Sequence, residues 1–144
     1  MKYRQLKKRN RAFSMMEMIL VLGIITLLVG AGVGGLMNVM ELGKETKAKA
    51  DINTISSALR AYESQQLYLP TTRQGIEALV WKPSSRPEPK NWKPYLKEKV
   101  LTDPWGNKYI YLRPGKKDGG GFDLYSAGAD GVAGNSDDIG NWDI

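Results

Sequence analysis

The sequence predicts an α+β protein: a long N-terminal helix, membrane-spanning in its first half, packed against a small antiparallel sheet that is followed by an acidic, glycine-rich loop. Three observations predict it. An apolar run over residues 18–37 continues into a helical pattern with Ile52, Ile55, Leu59 and Tyr62 on one face. Two alternating segments, 108–112 and 122–126, flank a stretch rich in Gly and Pro. Asp130, Asp137 and Asp138 then fall among Gly128, Gly131 and Gly134.

The helix comes first. Residues 18–37 number 20, and at about 1.5 Å per residue they cover roughly the 30 Å of a bilayer's hydrocarbon core. Ahead of them Lys2, Arg4, Lys7, Lys8, Arg9 and Arg11 form a leader without acids, the arrangement that keeps an N-terminus in the cytoplasm. A cleaved secretory signal has a shorter apolar core, about 7–15 residues. A plain signal anchor fits the run itself. Glu17 at the head of the run costs up to roughly 2.5–3.5 kcal/mol at mid-bilayer and less near the interface, so it calls for a partner. One helix over about 13–66 accounts for the pattern. Gly30, Gly32, Gly34, Gly35 and Gly43 weaken it, each by about 1 kcal/mol relative to Ala. In lipid such residues let helices approach closely.

Pro70 stops the helix, and Thr71 or Thr72 caps a short helix over about 73–80. Four prolines make 82–94 an extended surface connection. Asp103-Pro104-Trp105-Gly106 is a turn into the first strand, 108–112. The stretch from Pro114-Gly115 to Gly121 closes it, and 122–126 returns antiparallel. The domain division is therefore a leader at 1–12, a membrane helix at 13–37, and one globular domain at 38–144.

Composition excludes several chemistries. With no Cys and no His there is no disulfide, no thiolate or imidazole zinc site, and none of the usual Ser-His-Asp or Cys-His sets. The formal charge of +6 resides in the leader: without its six basic residues, 15 Lys and Arg stand against 15 Asp and Glu. Nucleic-acid binding is accordingly not expected. The remaining charge is segregated, with six Asp and no base in residues 118–144. So dense a carboxylate tail is solvated, paired or metal-bound. Asp130, Asp137 and Asp138 on a glycine-rich loop suit calcium, a hard ion that takes 6–8 oxygens. A solvated turn is the simpler alternative, and the loop is not an EF-hand, since no Asp-x-Asp-x-Asp-Gly pattern precedes a closing Glu.

The leader followed by Phe13-Ser14-Met15-Met16-Glu17 resembles the class III leader of type IV pilins and pseudopilins. The resemblance implies cleavage between Ala12 and Phe13 by a prepilin peptidase and N-methylation of Phe13; Ala12 stands where the family usually has Gly. Further on, the segment 68–80, Asp103-Pro104-Trp105-Gly106-Asn107, Pro114-Gly115, Phe122-Asp123-Leu124-Tyr125-Ser126, Gly128-Ala129-Asp130-Gly131 and Asp137-Asp138-Ile139-Gly140-Asn141-Trp142 occur in the order seen in the major pseudopilins of type II secretion systems. The match covers residues 9–144.

This resemblance implies a type IV pilin-like fold and a non-enzymatic subunit of a homopolymeric periplasmic fibre that drives export of folded proteins across the outer membrane. It implies a single-pass inner-membrane anchor with the C-terminal domain in the periplasm. Its partners would be further copies of the chain, minor pseudopilins and the inner-membrane assembly platform. It adds the carbonyl oxygens of Ala127 and Asn135 to the calcium ligands Asp130, Asp137 and Asp138. Glu17 would meet the amine of a neighbour's Phe13, and the glycines at 30–35 would allow local unwinding on assembly. Two alternatives remain: a type IV pilin-like subunit for adhesion, motility or DNA uptake, and a signal-anchored periplasmic hydrolase using Asp pairs with metal.

Overall fold

The computed structural model describes residues 13–117, 119 and 121–144, with the side chains of 32–37 excluded. The leader, with Ala12, lies outside the described residues. The chain divides into two compact units, Met1–Met40 and Glu41–Ile144. Helix α1, Met15–Gln66, contributes to each.

In the first unit Ser14 opens α1. Its hydroxyl accepts the amide of Met16 at 3.2 Å and its carbonyl accepts that of Met18 at 3.1 Å, so part of the unpaired first turn is satisfied. Apolar side chains then lie exposed all around the helix, among them Met18, Ile19, Leu20, Leu22, Leu27 and Leu28. Among the described residues no helix is long and apolar enough to cross a membrane. The run expected to span, 18–37, includes the six residues whose side chains are not described.

In the second unit the 3.6-residue period becomes a core. Ile52, Ile55, Leu59 and Tyr62 are fully buried, against Tyr109, Tyr111, Phe122 and Leu124 of the sheet region. The two sheet tyrosines bury their rings yet keep their hydroxyls bonded: Tyr109 donates to Asp51 on α1 at 3.2 Å, and Tyr111 to the Pro70 carbonyl at 2.8 Å. Burial pushes both phenols above their ordinary range, and for Tyr109 the carboxylates of Asp51 and Asp103 add to it. The helix ends where Leu67 takes φ 67°, three residues before Pro70.

The sheet has three antiparallel strands in the order β1 (Ile110–Leu112), β2 (Asp123–Ser126), β3 (Ile139–Gly140). Ile110 faces Tyr125, and Tyr125 in turn faces Gly140. The expected hairpin is present with strands one or two residues shorter at their N-terminal ends. β3 was not expected: two residues carry no alternation, and only pairing with Tyr125 and Ser126 makes them a strand.

Two further expectations are corrected. The short helix over 73–80 is a four-residue 3-10 helix, Ile76–Leu79, because Gly75 at φ 63° breaks the chain just before it. The connection over 82–94 is not merely superficial. Trp92 Nε1 donates to the Ala78 carbonyl at 2.9 Å, and Gln74 Nε2 donates to the carbonyls of Ser85 and Pro87 at 2.8 and 3.1 Å. These bonds pin a segment without regular structure to the core.

Candidate functional site

The loop between β2 and β3 is built from its anchor outward. Asp103, 5% exposed, accepts the amides of Trp105 and Asn107 through Oδ1 at 3.0 and 2.8 Å, which makes the Asp-Pro-Trp-Gly segment a tight turn. The turn closes with Gly106 N donating to the Asp103 carbonyl at 3.1 Å. Ser126 Oγ, fully buried, donates to Asp103 Oδ2 at 2.5 Å and accepts the Gly128 amide at 3.2 Å. The start of the loop is thus fastened to the turn by one hydroxyl.

Within the loop, the structure brings Asp130, Asn135 and Asp137 together by hydrogen bonds. Asn135 Nδ2 donates to Asp130 Oδ2 at 2.7 Å, Asp137 N to Asn135 Oδ1 at 2.9 Å, and Asp130 N to Asp137 Oδ2 at 3.1 Å. Asp130 Oδ1 accepts the Val132 amide at 2.8 Å. Gly128, at φ 65°, has no room for a side chain: a Cβ there would stand 2.3 Å from the Asp137 carbonyl oxygen. Ala127 is buried at the loop's entry.

Asp138 differs from its two partners. Its side chain is 3% exposed, Oδ2 accepts the Gly134 amide at 2.9 Å, and Oδ1 is buried with no hydrogen-bond partner. An unsatisfied carboxylate oxygen of that kind costs free energy unless something supplies positive charge. Asp137 and Asp138 also line a cavity of about 270 Å³ shared with Glu41, Glu45 and Trp105. Among the described residues, no three acidic side chains converge in an arrangement that holds a metal. The donor set is nevertheless the hard-oxygen type that calcium takes, and Asp138 Oδ1 is free to accept it.

Two contacts at this loop were not legible in the sequence. Lys117 Nζ lies 3.8 Å from Asp138 Oδ2 and 4.1 Å from the centroid of the Trp142 ring. Trp105 Nε1 donates to Glu41 Oε1 at 2.6 Å. Each joins residues far apart in the chain, and no local pattern announces them. At the other end of the chain, Phe13 and Glu17 are exposed, with Glu17 in the first turn of α1, where the helix dipole favours a carboxylate.

Comparison with known proteins agrees with this architecture. The family model described as Type II secretion system (T2SS), protein G matches residues 35–142. A type II secretion system core protein G from Pseudomonas aeruginosa is 46% identical over 142 residues, covering 95% of this chain and 98% of that relative. A namesake from Aeromonas hydrophila is 40% identical over 140 residues, 96% of each chain. The crystal structure of the major pseudopilin from the type 2 secretion system of enterohaemorrhagic Escherichia coli superposes with a TM-score of 0.66 at 38% identity, over 76% of this chain and 95% of that one. The chain belongs to the protein G family of type II secretion systems.

Proposed function

We propose that the chain is the structural major subunit of a type II secretion pseudopilus, a polymerising protein and not an enzyme. The observation that carries this reading is the N-terminal part of α1, whose apolar side chains are exposed all around the helix. A helix of that kind needs lipid or other helices around it. A pseudopilin has both, in turn: the inner membrane before assembly and neighbouring copies afterwards. The homologues named as core protein G support the role.

In this reading the leader is removed by a prepilin peptidase, residues 13–37 anchor the subunit, and the domain from residue 38 stands in the periplasm. The assembly platform extracts subunits into a fibre, with minor pseudopilins as further partners, and the growing fibre drives folded proteins across the outer membrane. Glu17 pairs with the amine of a neighbour's Phe13, which lowers the cost of two charges in an apolar interior. Asp130, Asp137 and Asp138, with the carbonyls of Ala127 and Asn135, would hold calcium. Bound there, the ion supplies positive charge that draws the acidic loop together. The orphaned Asp138 Oδ1 supports this assignment.

The test is expression with the secretion machinery, reading fibres released by shearing and export of a secreted protein. Short fibres and restored export are expected, both lost on calcium depletion. Long surface fibres without export would favour a type IV pilin-like role, and metal-dependent turnover by the purified protein would favour a hydrolase.

A further inference from the structure

The acidic loop between β2 and β3 meets a cation from a different segment of the chain. Lys117 sits in the connection between β1 and β2, and its backbone is fixed there: the Lys117 amide donates to both carboxylate oxygens of Asp123, at 3.0 and 3.2 Å, and the Lys116 amide donates to Oδ2 at 2.7 Å. The side chain then crosses two aromatic faces. Its ammonium stands 4.1 Å from the Trp142 ring centroid and 5.9 Å from that of Tyr125, within the range of cation–π attraction. The rings are themselves held. They lie 5.4 Å apart, Tyr125 is paired with Gly140, and Trp142 is pressed so closely on Gly140 that a Cβ there would come within 2.4 Å of the indole.

This path delivers the ammonium to Asp138. The 3.8 Å separation from Oδ2 is an ion pair without hydrogen-bond distance, so Lys117 compensates the charge of Asp138 while leaving Oδ1 unpartnered. Two positive charges cannot both sit beside one carboxylate without repulsion, which at a few ångströms is substantial even in a high dielectric.

We propose that Lys117 is a built-in competitor of calcium: it balances Asp138 when the metal is absent, opposes the metal's entry, and reports occupancy to Trp142 through its position over the indole. The proposal rests on the calcium reading above. Lys117 thereby sets the calcium concentration at which the loop closes. Its alkyl stem packs on the rings in both states, and only the ammonium is displaced from Asp138.

The experiment uses the full chain in detergent micelles, titrated with calcium chloride by calorimetry, with the indole N–H resonance of Trp142 followed by NMR and assigned through Trp142→Phe. Lys117→Met keeps the stem and removes the charge; Lys117→Gln is the second neutral variant, and Lys117→Arg keeps the charge. Both neutral variants should bind calcium roughly tenfold more tightly than the parent, and Lys117→Arg should bind like the parent. In chelator the Trp142 resonance of Lys117→Met should already differ from the parent's, and it should move less on adding calcium. Unchanged or weaker binding by both neutral variants, with the parent still binding, would overturn the competitor role alone. No calcium binding by the parent would overturn the calcium reading and the competitor role with it.

Discussion

Trp105 Nε1 donates a 2.6 Å hydrogen bond to Glu41 Oε1, joining residues 64 apart in sequence. The indole belongs to a turn whose backbone is fixed by Asp103, and Asp103 in turn holds Ser126 at the entry of the acidic loop. One end of the loop is therefore coupled to α1 through a turn that is neither helix nor strand.

That coupling can be measured. Trp105→Phe removes the donor while keeping an aromatic body. Because the Glu41 side chain is 41% exposed, water replaces part of the lost bond, and the cost should be about 1 kcal/mol rather than the 1.5–3 of a fully buried charged pair. Differential scanning calorimetry should show a midpoint lower by about 4–8 °C. Glu41→Gln retains an acceptor and should lose less than half of that. Equal losses in the two variants would mean that the negative charge of Glu41, and not the mere presence of an acceptor, holds the indole.

Asp130, Asp137 and Asp138 should be distinguishable by their behaviour with and without calcium. The parent should gain RT ln(1 + [Ca²⁺]/Kd), about 2.7 kcal/mol at 100 times Kd, and Asp137→Ala should remove most of that gain. Asp138→Asn should lose the gain too, yet in chelator it should fall below the parent by no more than about 1 kcal/mol, since relief of a buried charge offsets the loss of the ion pair with Lys117. Thermal unfolding of parent and variants at millimolar calcium and in chelator decides it. A parent midpoint indifferent to calcium would make the tail a solvated turn.

Gly128→Ala should damage the loop more than Gly134→Ala. Both positions have positive φ, 65° and 97°, so each variant carries backbone strain of about 1–2 kcal/mol. Only at Gly128 does the added carbon also meet the Asp137 carbonyl, while at Gly134 nothing lies within 4 Å. Chemical denaturation should rank the variants in that order, with Gly128→Ala alone losing the response to calcium.

Processing makes a separate prediction. Cleavage between Ala12 and Phe13 and methylation of the new amine should be visible by mass spectrometry of the membrane-extracted protein. A chain retaining Met1, or cut beyond residue 30, would contradict the class III leader.

Glu17→Gln should separate insertion from assembly. Removing a carboxylate from the head of an apolar helix leaves membrane insertion intact or improves it, while the neighbour's amine loses its partner. Membrane fractionation should be normal and sheared fibre yield should fall at least tenfold. Normal fibre yield would show that the pair is dispensable.

The sequence by itself determined the elements whose signals are local. A 3.6-residue period placed Ile52, Ile55, Leu59 and Tyr62 on one buried face, Pro70 ended the helix nearby, and alternation around a Gly-rich turn produced the β1–β2 hairpin. It also marked Asp130, Asp137 and Asp138 as a group, because oxygen donors on a glycine-rich loop are visible as composition. Tertiary structure alone decided what those residues do to one another. β3 exists because Ile139 and Gly140 meet an edge of β2, and Trp92 converts a proline-rich connection into part of the core's cover. The pairings of Glu41 with Trp105 and of Lys117 with Asp138 belong to the same class. Periodicity records which way a side chain points along its own segment, whereas the partner it meets depends on where the fold brings a distant segment, and no local pattern encodes that distance.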